Sequence, residues 1–581
     1  MTSLAADLSR AVEDAFAAAG LDRRFGQVQV SDRPDLAQFQ CNGALAAAKE
    51  AKANPRAIAE KIVARLKNDP QFAKVEIAGP GFINLDLTDT ALDTRIAVPD
   101  APSKPNGKTL LLDFGGINVA KPMHVGHLRS SVIGDCLQRL FRANDWHVVS
   151  DIHLGDWGLQ MGQLISEIGI RGIAPIYFDA AFKGPYPEQS PVTMEDLEEI
   201  YPAASAACKA DPARLDAARR ATVELQDGRP GFRALWRHFV AVSEAGAKRE
   251  FDALDVHFDL WKGEASVHDR IAPMIADFKA RGLAKMDEGA LVIEVAQGGD
   301  KKPMPPLLLV KSDGGLLYGT TDMATIIERA EEQNPDLVLY VVDHRQHGHF
   351  EQVFRAAAKT GIAGKAHLEH VGYGTMNGAD GKPFKTRAGG VMKLYDLIAM
   401  AEVEAKSRLA EQGLGDDYSP EERETIAKQI AIATIKFADL SNHRTTDYVF
   451  DLERFSKFEG KTGPYLQYAA VRIKSILRRA REEGHEAAIP AIHSPEERDL
   501  VLQLLSLDDV LQAAEEKRAP NILCDYAFTL AQNFSRFYAA HHIMSETDVG
   551  LRGQRLGLCA RVLEVMTRTL GLLGIAVPER M

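Results

Sequence analysis

The stretch from Thr109 to Asn144 leaves the chain few choices of fold. Thr109-Leu110-Leu111-Leu112-Asp113-Phe114 is a short apolar run bounded by glycines, as a buried strand is. From Leu128 to Asn144 the residues Leu128, Val132, Cys136, Leu137, Leu140 and Phe141 recur at helical spacing. A second strand follows at Trp146–Ile152, and Gly155-Asp156-Trp157-Gly158 opens another helix. Strand, helix and strand in this order imply a parallel, doubly wound sheet. Between the first strand and its helix lies Asn118-Val119-Ala120-Lys121-Pro122-Met123-His124-Val125-Gly126-His127, two histidines flanking a glycine where a helix N-terminus meets a crevice. Free amides and the macrodipole attract phosphate there, and a glycine lets a flat base approach the backbone.

With 581 residues the chain is too long for one core, and three or four domains are expected. Apolar and charged contents of 45% and 26% are those of a soluble globular protein, and no apolar run is long enough for a membrane span. Met1 to Gly20 carries Asp7, Glu13 and Asp14 among its alanines, so it reads as an amphipathic helix and not as a targeting peptide. Five scattered cysteines with no C-x-x-C pair argue for a reducing compartment and against a structural zinc or other metal site. The net charge of -12 leaves room for a polyanion partner only through a local basic patch. Arg472-Ile473-Lys474-Ser475-Ile476-Leu477-Arg478-Arg479-Ala480-Arg481 is such a segment. A cytoplasmic, monomeric enzyme is the expectation, with no membrane partner.

Three regions are expected. Residues 1–97 form a small α+β unit that closes on two short strands around Gly79-Pro80-Gly81, and the Pro99–Gly107 stretch is a linker. Residues 98–395 form a Rossmann-like parallel-sheet domain, interrupted from Gly172 to about Gln226 by prolines, acids and alanine-rich helices; the helical insertion is bounded at about 172–250. Sheet grammar resumes at Val338–Asp343, with a helix at His349–Lys359 and a strand near Leu368–Tyr373. Residues 396–581 are nearly all helical in period, with loops near Gly413–Pro420 and His485–Pro495 and no strand pattern, and make an all-α C-terminal domain.

Each candidate site has an ordinary alternative. Two histidines at a helix start can be a capping pair. Gly378–Gly390, rich in glycine and lysine, can be a solvated loop. Tyr318 and Asp322 share a helix face, which fits a cap as well as a slot in which Asp322 accepts a planar guanidinium, with Tyr318 and Gln346 shaping the walls. Aromatics and arginines along the C-terminal helices are more often core and solvated face than a platform for bases.

Met123-His124-Val125-Gly126-His127 resembles the "HIGH" signature of class I aminoacyl-tRNA synthetases, and the longer string through Gly134 resembles that of arginyl-tRNA synthetases. Further stretches resemble the same family: Tyr340–Gln346, Gly381–Arg387, Arg444–Tyr448, Phe458–Tyr468 and the terminal Pro578–Met581. The resemblance implies ATP, brought with Mg²⁺, L-arginine and tRNA(Arg) as partners. His124 and His127 would donate to ATP phosphates and ribose, with Gly126 making room for adenine, and neither histidine acting as a general base. The Lys385 loop stands where the class carries "KMSKS", but Phe384-Lys385-Thr386-Arg387 lacks the second lysine, and Lys121 is the family's substitute for it. Lys385 and Arg387 complete the implied catalytic set. Asp113 and Asn118 would hold the substrate's ammonium and carboxylate ends. Gly115-Gly116-Ile117 departs from the family's serine- and proline-containing stretch, so any hydroxyl contact there is absent or comes from elsewhere. Tyr465, Tyr468, Arg472, Tyr538 and Met581 are implied in anticodon binding, and Phe82 and Asn84 resemble contacts to the tRNA D-loop. Rival readings are another class I synthetase, disfavoured by the missing zinc cysteines and editing insertion, and a non-catalytic tRNA-binding paralogue. The intact Lys121, His124, His127 and Asp322 disfavour that paralogue.

Overall fold

The computed structural model describes the chain except residues 1–2, 32, 34, 99–103, 313, 383, 385–391 and 416–417. It divides into two compact units, one of residues 105–456 and one that joins residues 1–104 to 457–581.

The first unit is built on a five-stranded sheet of β1 (Thr109–Asp113), β2 (His147–Leu154), β3 (Leu260–Gly263), β4 (Leu337–Tyr340) and β5 (His367–His370), in the order β5-β4-β1-β2-β3. Every neighbouring pair is parallel, and Asp113 at the end of β1 lies level with Tyr340 of β4 and Asp151 of β2. Leu110, Leu111 and Leu112 are fully buried, which is why β1 reads as a continuous apolar run and not an alternating one. Helix α1 (Val125–Ala143) crosses from β1 to β2; the chain then continues to β3 before returning to the other side of β1 through α2 (Tyr318–Glu332), β4 and α3 (His347–Thr360). Strand order therefore reverses at β1, and a crevice opens beyond the carboxyl ends of β1 and β4.

The expected insertion is present as helices Met194–Ala210, Pro212–Gln226 and Pro230–Ala253, which share a core with Leu159–Ile170. A small antiparallel sheet of Lys285–Asp287, Ala290–Ile293 and Leu307–Val310 packs with α2 and α3. It lacked a sequence signal because its strands are only three or four residues long.

Two expectations need correction. Helices Leu394–Glu411 and Pro420–Leu440 were assigned to the C-terminal bundle, but they belong to the parallel-sheet unit. Buried ion pairs fasten the second of them to α1: Lys436 Nζ lies 3.1 Å from Asp135 Oδ2, and Arg129 Nε lies 3.0 Å from Asp439 Oδ2. Tyr448–Val449, in the stretch read as free of strands, pairs in parallel with Met376–Asn377.

The second unit contains a four-stranded antiparallel sheet in the order Val28–Val30, Phe39–Cys41, Phe82–Leu87, Phe72–Ala78. Its helices Gly463–Glu482, Pro495–Leu505, Leu507–Lys517, Asn521–Ala540 and Val549–Leu572 supply the C-terminal bundle. The two ends of the chain are stitched together: Arg498 donates to Asp89 and to the Leu87 carbonyl, both at 2.6 Å, and Asp93 accepts the Ile492 N–H at 2.9 Å. Among the described residues no helix is long and apolar enough to cross a membrane.

Candidate active site

A cavity of about 580 Å³ fills the crevice at the strand-order reversal. It is lined by seven of the expected residues: Asp113, Asn118, His124, Gly126, His127, Asp322 and Gln346. Lys121 and Tyr318 do not line it, and Tyr318 is 74% exposed. Lys385 and Arg387 lie outside the described residues. Their flanks are fixed beside the site: Phe384 lines the cavity, the Met392 carbonyl accepts the Val125 N–H at 3.0 Å, and Leu394 N–H donates to Met123 at 3.1 Å.

His124 is the N-cap of α1, and the capping and binding readings turn out to be compatible. Its Nδ1 accepts the Gly126 N–H at 3.0 Å, while its own N–H donates to His127 Nδ1 at 3.1 Å. The rings lie 4.0 Å apart, centroid to centroid. Because each Nδ1 is an acceptor, each neutral ring carries its proton on Nε2, so the pair offers donors and no base. Burial, reinforced by the Lys121 charge, lowers the His124 pKa. Burial, then the neighbouring His124, pushes His127 down to about 3. A Cβ at position 126 would fall 2.7 Å from the His124 ring, so the glycine is needed for the cap itself.

Gly115, in the stretch that departs from the family pattern, has φ +74°, a conformation costly for side-chain-bearing residues. Its N–H donates to Ser130 Oγ at 2.8 Å, and that hydroxyl donates on to the Val341 carbonyl at 2.7 Å. Ser130, from α1, lines the cavity. The Ser130 hydroxyl thus ties the 115–117 turn to the residue after β4, and its proton is already committed to the Val341 carbonyl.

Acids crowd the other side. Asp322 Oδ2 accepts from His349 Nε2 at 2.6 Å, so one carboxylate oxygen already has a partner. Glu264 lines the same cavity; burial, helped by the charges of Asp156 and Asp322, pushes its carboxyl up to about 7. Asp113, expected to face a substrate ammonium, is bound at 2.6 Å by Arg329, which also holds Asp151 at 2.7 Å. Burial raises the Asp113 pKa despite that cation. Asn118 forms an isolated parallel bridge with Gly155 at the cavity wall.

Sequence reasoning missed Arg329, His349, Glu264 and Arg129. Arg329 had a signal, since it continues the buried stripe of Met323 and Ile326 on α2, where an arginine needs an acid. Arg129 likewise sits among the buried positions of α1. Glu264, on a short turn after β3, had none.

In the second unit, Tyr465, Tyr468 and Arg472 fall three and four residues apart on one helix face. Tyr465 meets Phe528 edge-on, Tyr468 is exposed, and Arg472 lies 4.3 Å over the Tyr538 ring. Met581 is half-buried and Phe82 partly exposed. Asn84 is buried, and its Oδ1 accepts from Gln40 Nε2 at 2.9 Å. The five cysteines are free and buried, and no His, Cys, Asp and Glu cluster suited to a metal occurs among the described residues.

A parallel sheet reversing at a crevice, with a histidine pair capping the helix that opens there, is the architecture of a class I synthetase catalytic domain. Residues 94–452 match the family described as tRNA synthetases class I (R), catalytic domain. Residues 2–87 match the arginyl tRNA synthetase N terminal domain, and 466–581 the DALR anticodon binding domain. The chain is 54% identical to arginine–tRNA ligases of Maricaulis maris and Hyphomonas neptunium, with all of each chain covered. Its fold matches the arginyl-tRNA synthetase of Plasmodium falciparum at a TM-score of 0.82 and 24% identity, and that of Thermus thermophilus at 0.81 and 23%, with full coverage on both sides. The chain belongs to the arginyl-tRNA synthetase family.

Proposed function

We propose that this chain is an arginine–tRNA ligase, and that the cavity at the β1–β4 switch point carries both steps of its reaction. ATP enters with its Mg²⁺ as a substrate complex. The arginine carboxylate attacks the α-phosphate in line, pyrophosphate leaves, and arginyl-adenylate forms. A terminal ribose hydroxyl of tRNA(Arg), the 2′-hydroxyl by class resemblance, then attacks the arginyl carbonyl and AMP leaves. Catalysis of this kind is positioning plus charge neutralisation. His124 and His127 supply neutral Nε2–H donors to phosphate and ribose, Lys121, Lys385 and Arg387 supply positive charge to the departing pyrophosphate, and Asn118 orients the amino acid.

One observation carries the reading: a single cavity is lined by the histidine pair and by Asp322 and Glu264. A guanidinium held between two acids, with Gln346 and Tyr318 near the entrance, rejects lysine through geometry and charge count. Asp113 is one of two acids that share the Arg329 cation, which leaves one negative charge for the substrate ammonium. The Tyr465–Tyr468–Arg472 face with Tyr538 and Met581 is proposed for anticodon bases, and Phe82 for the D-loop. The enzyme is proposed to act as a cytoplasmic monomer.

The test is ATP–pyrophosphate exchange with each amino acid, with and without tRNA. Exchange with arginine that depends on tRNA(Arg) is expected, the tRNA dependence following from the family. Robust exchange with lysine or glutamine but not arginine would sink the assignment.

A further inference from the structure

The helical insertion has no role in the reaction as described, yet it holds the phosphate side of the cavity from behind. Val119 and Ala120 are buried in its core with Leu197, Ile200 and Phe239. Ala120 sits at φ +62°, a left-handed conformation unusual for alanine, and its N–H donates to Ser243 Oγ of helix Pro230–Ala253 at 2.9 Å. The next residue is Lys121. Its Nζ stands 4.9 Å from the centroid of the Tyr201 ring, on helix Met194–Ala210, and the side chain does not line the cavity. One turn earlier on that helix, Glu198 binds Lys393 Nζ at 2.6 Å. Lys393 belongs to the backbone segment bonded to residues 123–125, since it bridges His124 in antiparallel fashion. Glu198 and Tyr201, three residues apart, therefore share a face that holds two lysines, one from each side of the nucleotide segment.

We propose that the insertion is a positioning element for the phosphate site, and that Tyr201 holds the Lys121 ammonium outside the cavity until ATP draws it in. An aromatic face attracts an ammonium, and a phosphate chain attracts it more. The ring gives Lys121 a defined resting place 4.9 Å from its centroid, close enough to the histidines for the Lys121 charge to act on both. The strained Ala120 backbone and the Ser243 hydroxyl fix where the lysine stem begins, so the ammonium has two stations and a short path between them. Tyr201 is thus a positioning residue, acting through Lys121, and the proposal rests on the reading of Lys121 as a phosphate-binding cation.

The experiment is a double-mutant cycle between Tyr201→Leu and Lys121→Met in the full chain, read as the Kd for ATP by equilibrium binding in both backgrounds and, where Lys121 is present, also as KM for ATP and KM for arginine in tRNA-supported exchange. Removing the ring removes a competitor for the ammonium, so Tyr201→Leu should lower the KM for ATP by about two- to five-fold and leave that for arginine unchanged. Tyr201→Phe keeps the π face and should match the unaltered protein. In the Lys121→Met background Tyr201→Leu should have no effect. Tyr201→Met, which keeps volume without the ring, is measured in parallel in case the leucine variant fails to fold. An unchanged or raised KM for ATP, or an equal effect in both backgrounds, would overturn the proposal. Full exchange by Lys121→Met alone would overturn the reading of Lys121 and the proposal with it.

Discussion

His349 donates its Nε2–H to Asp322 Oδ2 at 2.6 Å, and a protonated imidazole there has the same sign as the guanidinium proposed for that carboxylate. The hydrogen bond to Asp322 raises the His349 pKa above 6.5. Other charged groups around α3 are occupied elsewhere: Arg355 binds Glu351 at 2.7 Å and Asp300 at 2.8 Å, Arg345 binds Asp343, and His347 stacks with His370. Glu264, near Asp322, titrates at about 7. The sign follows. A raised histidine pKa makes the His349–Asp322 pair strongest at low pH and weaker as pH rises through that value, while Glu264 gains its charge over the same range. The KM for arginine should therefore fall as pH climbs from about 6 to about 8. His349→Gln keeps a donor without a charge, so it should lower the KM at the acid end and leave only the shallower Glu264 step, with kcat little changed. A pH profile of the variant that superimposes on the parent's would remove His349 as a competitor.

At the scale of the element, α2 shows how one helix can carry a specificity residue and its own anchor. Asp322 and Arg329 are two turns apart, on the same face. Arg329 reaches Asp113 and Asp151, which are level with each other on β1 and β2. Its Nε and Nη1 are buried with no hydrogen-bond partner among the described residues, so the anchor depends on charge as well as on hydrogen bonds. Arg329→Met would leave two buried carboxylates without a cation, and a loss of about 3–5 kcal/mol is expected from urea unfolding at neutral pH. Arg329→Lys should recover part of it. Because both acids can be protonated, the deficit should shrink as pH falls; a deficit that stays constant with pH would mean that packing and not charge is lost. In the sequence the helix showed only as the four-residue spacing that puts Tyr318 and Asp322 on one face. What the helix grips did not show. Arg329 pairs with residues 216 and 178 positions away, and Lys436 with one 301 positions away, distances at which no local pattern constrains the partner. The same blindness misplaced the boundary at 395: helices Leu394–Glu411 and Pro420–Leu440 look like bundle helices, and the charges that tie the second of them to α1, Lys436 and Asp439, find their partners only in the folded chain.

At the scale of the whole molecule, chain order and spatial order part company, because residues 1–104 and 457–581 form one compact unit and the middle of the chain the other. The sequence announced the N-terminal sheet through its Gly-Pro-Gly turn and the bundle through its period, but nothing in either says that they share a unit. Several polar contacts join them. Arg498 donates to Asp89 and the Leu87 carbonyl, Asp93 accepts from Ile492, and Ser3 donates to Asp509. Asp89 and Thr88 begin helix Asp89–Ile96, so Arg498 ties the start of that helix to helix Pro495–Leu505. Since Asp89 is half exposed, the pair itself is screened, and most of the effect should come from the bond to the backbone carbonyl. Arg498→Ala is expected to cost about 0.5–1.5 kcal/mol, confined to this unit. Hydrogen exchange of the full chain reads this directly. Amides of Asp89–Ile96 and Pro495–Leu505 should lose protection together, while those of Thr109–Asp113 keep theirs. Loss in β1 equal to that in the two helices would mean that the whole chain unfolds as one cooperative body, and unchanged protection in the helices would mean that the seam contributes nothing.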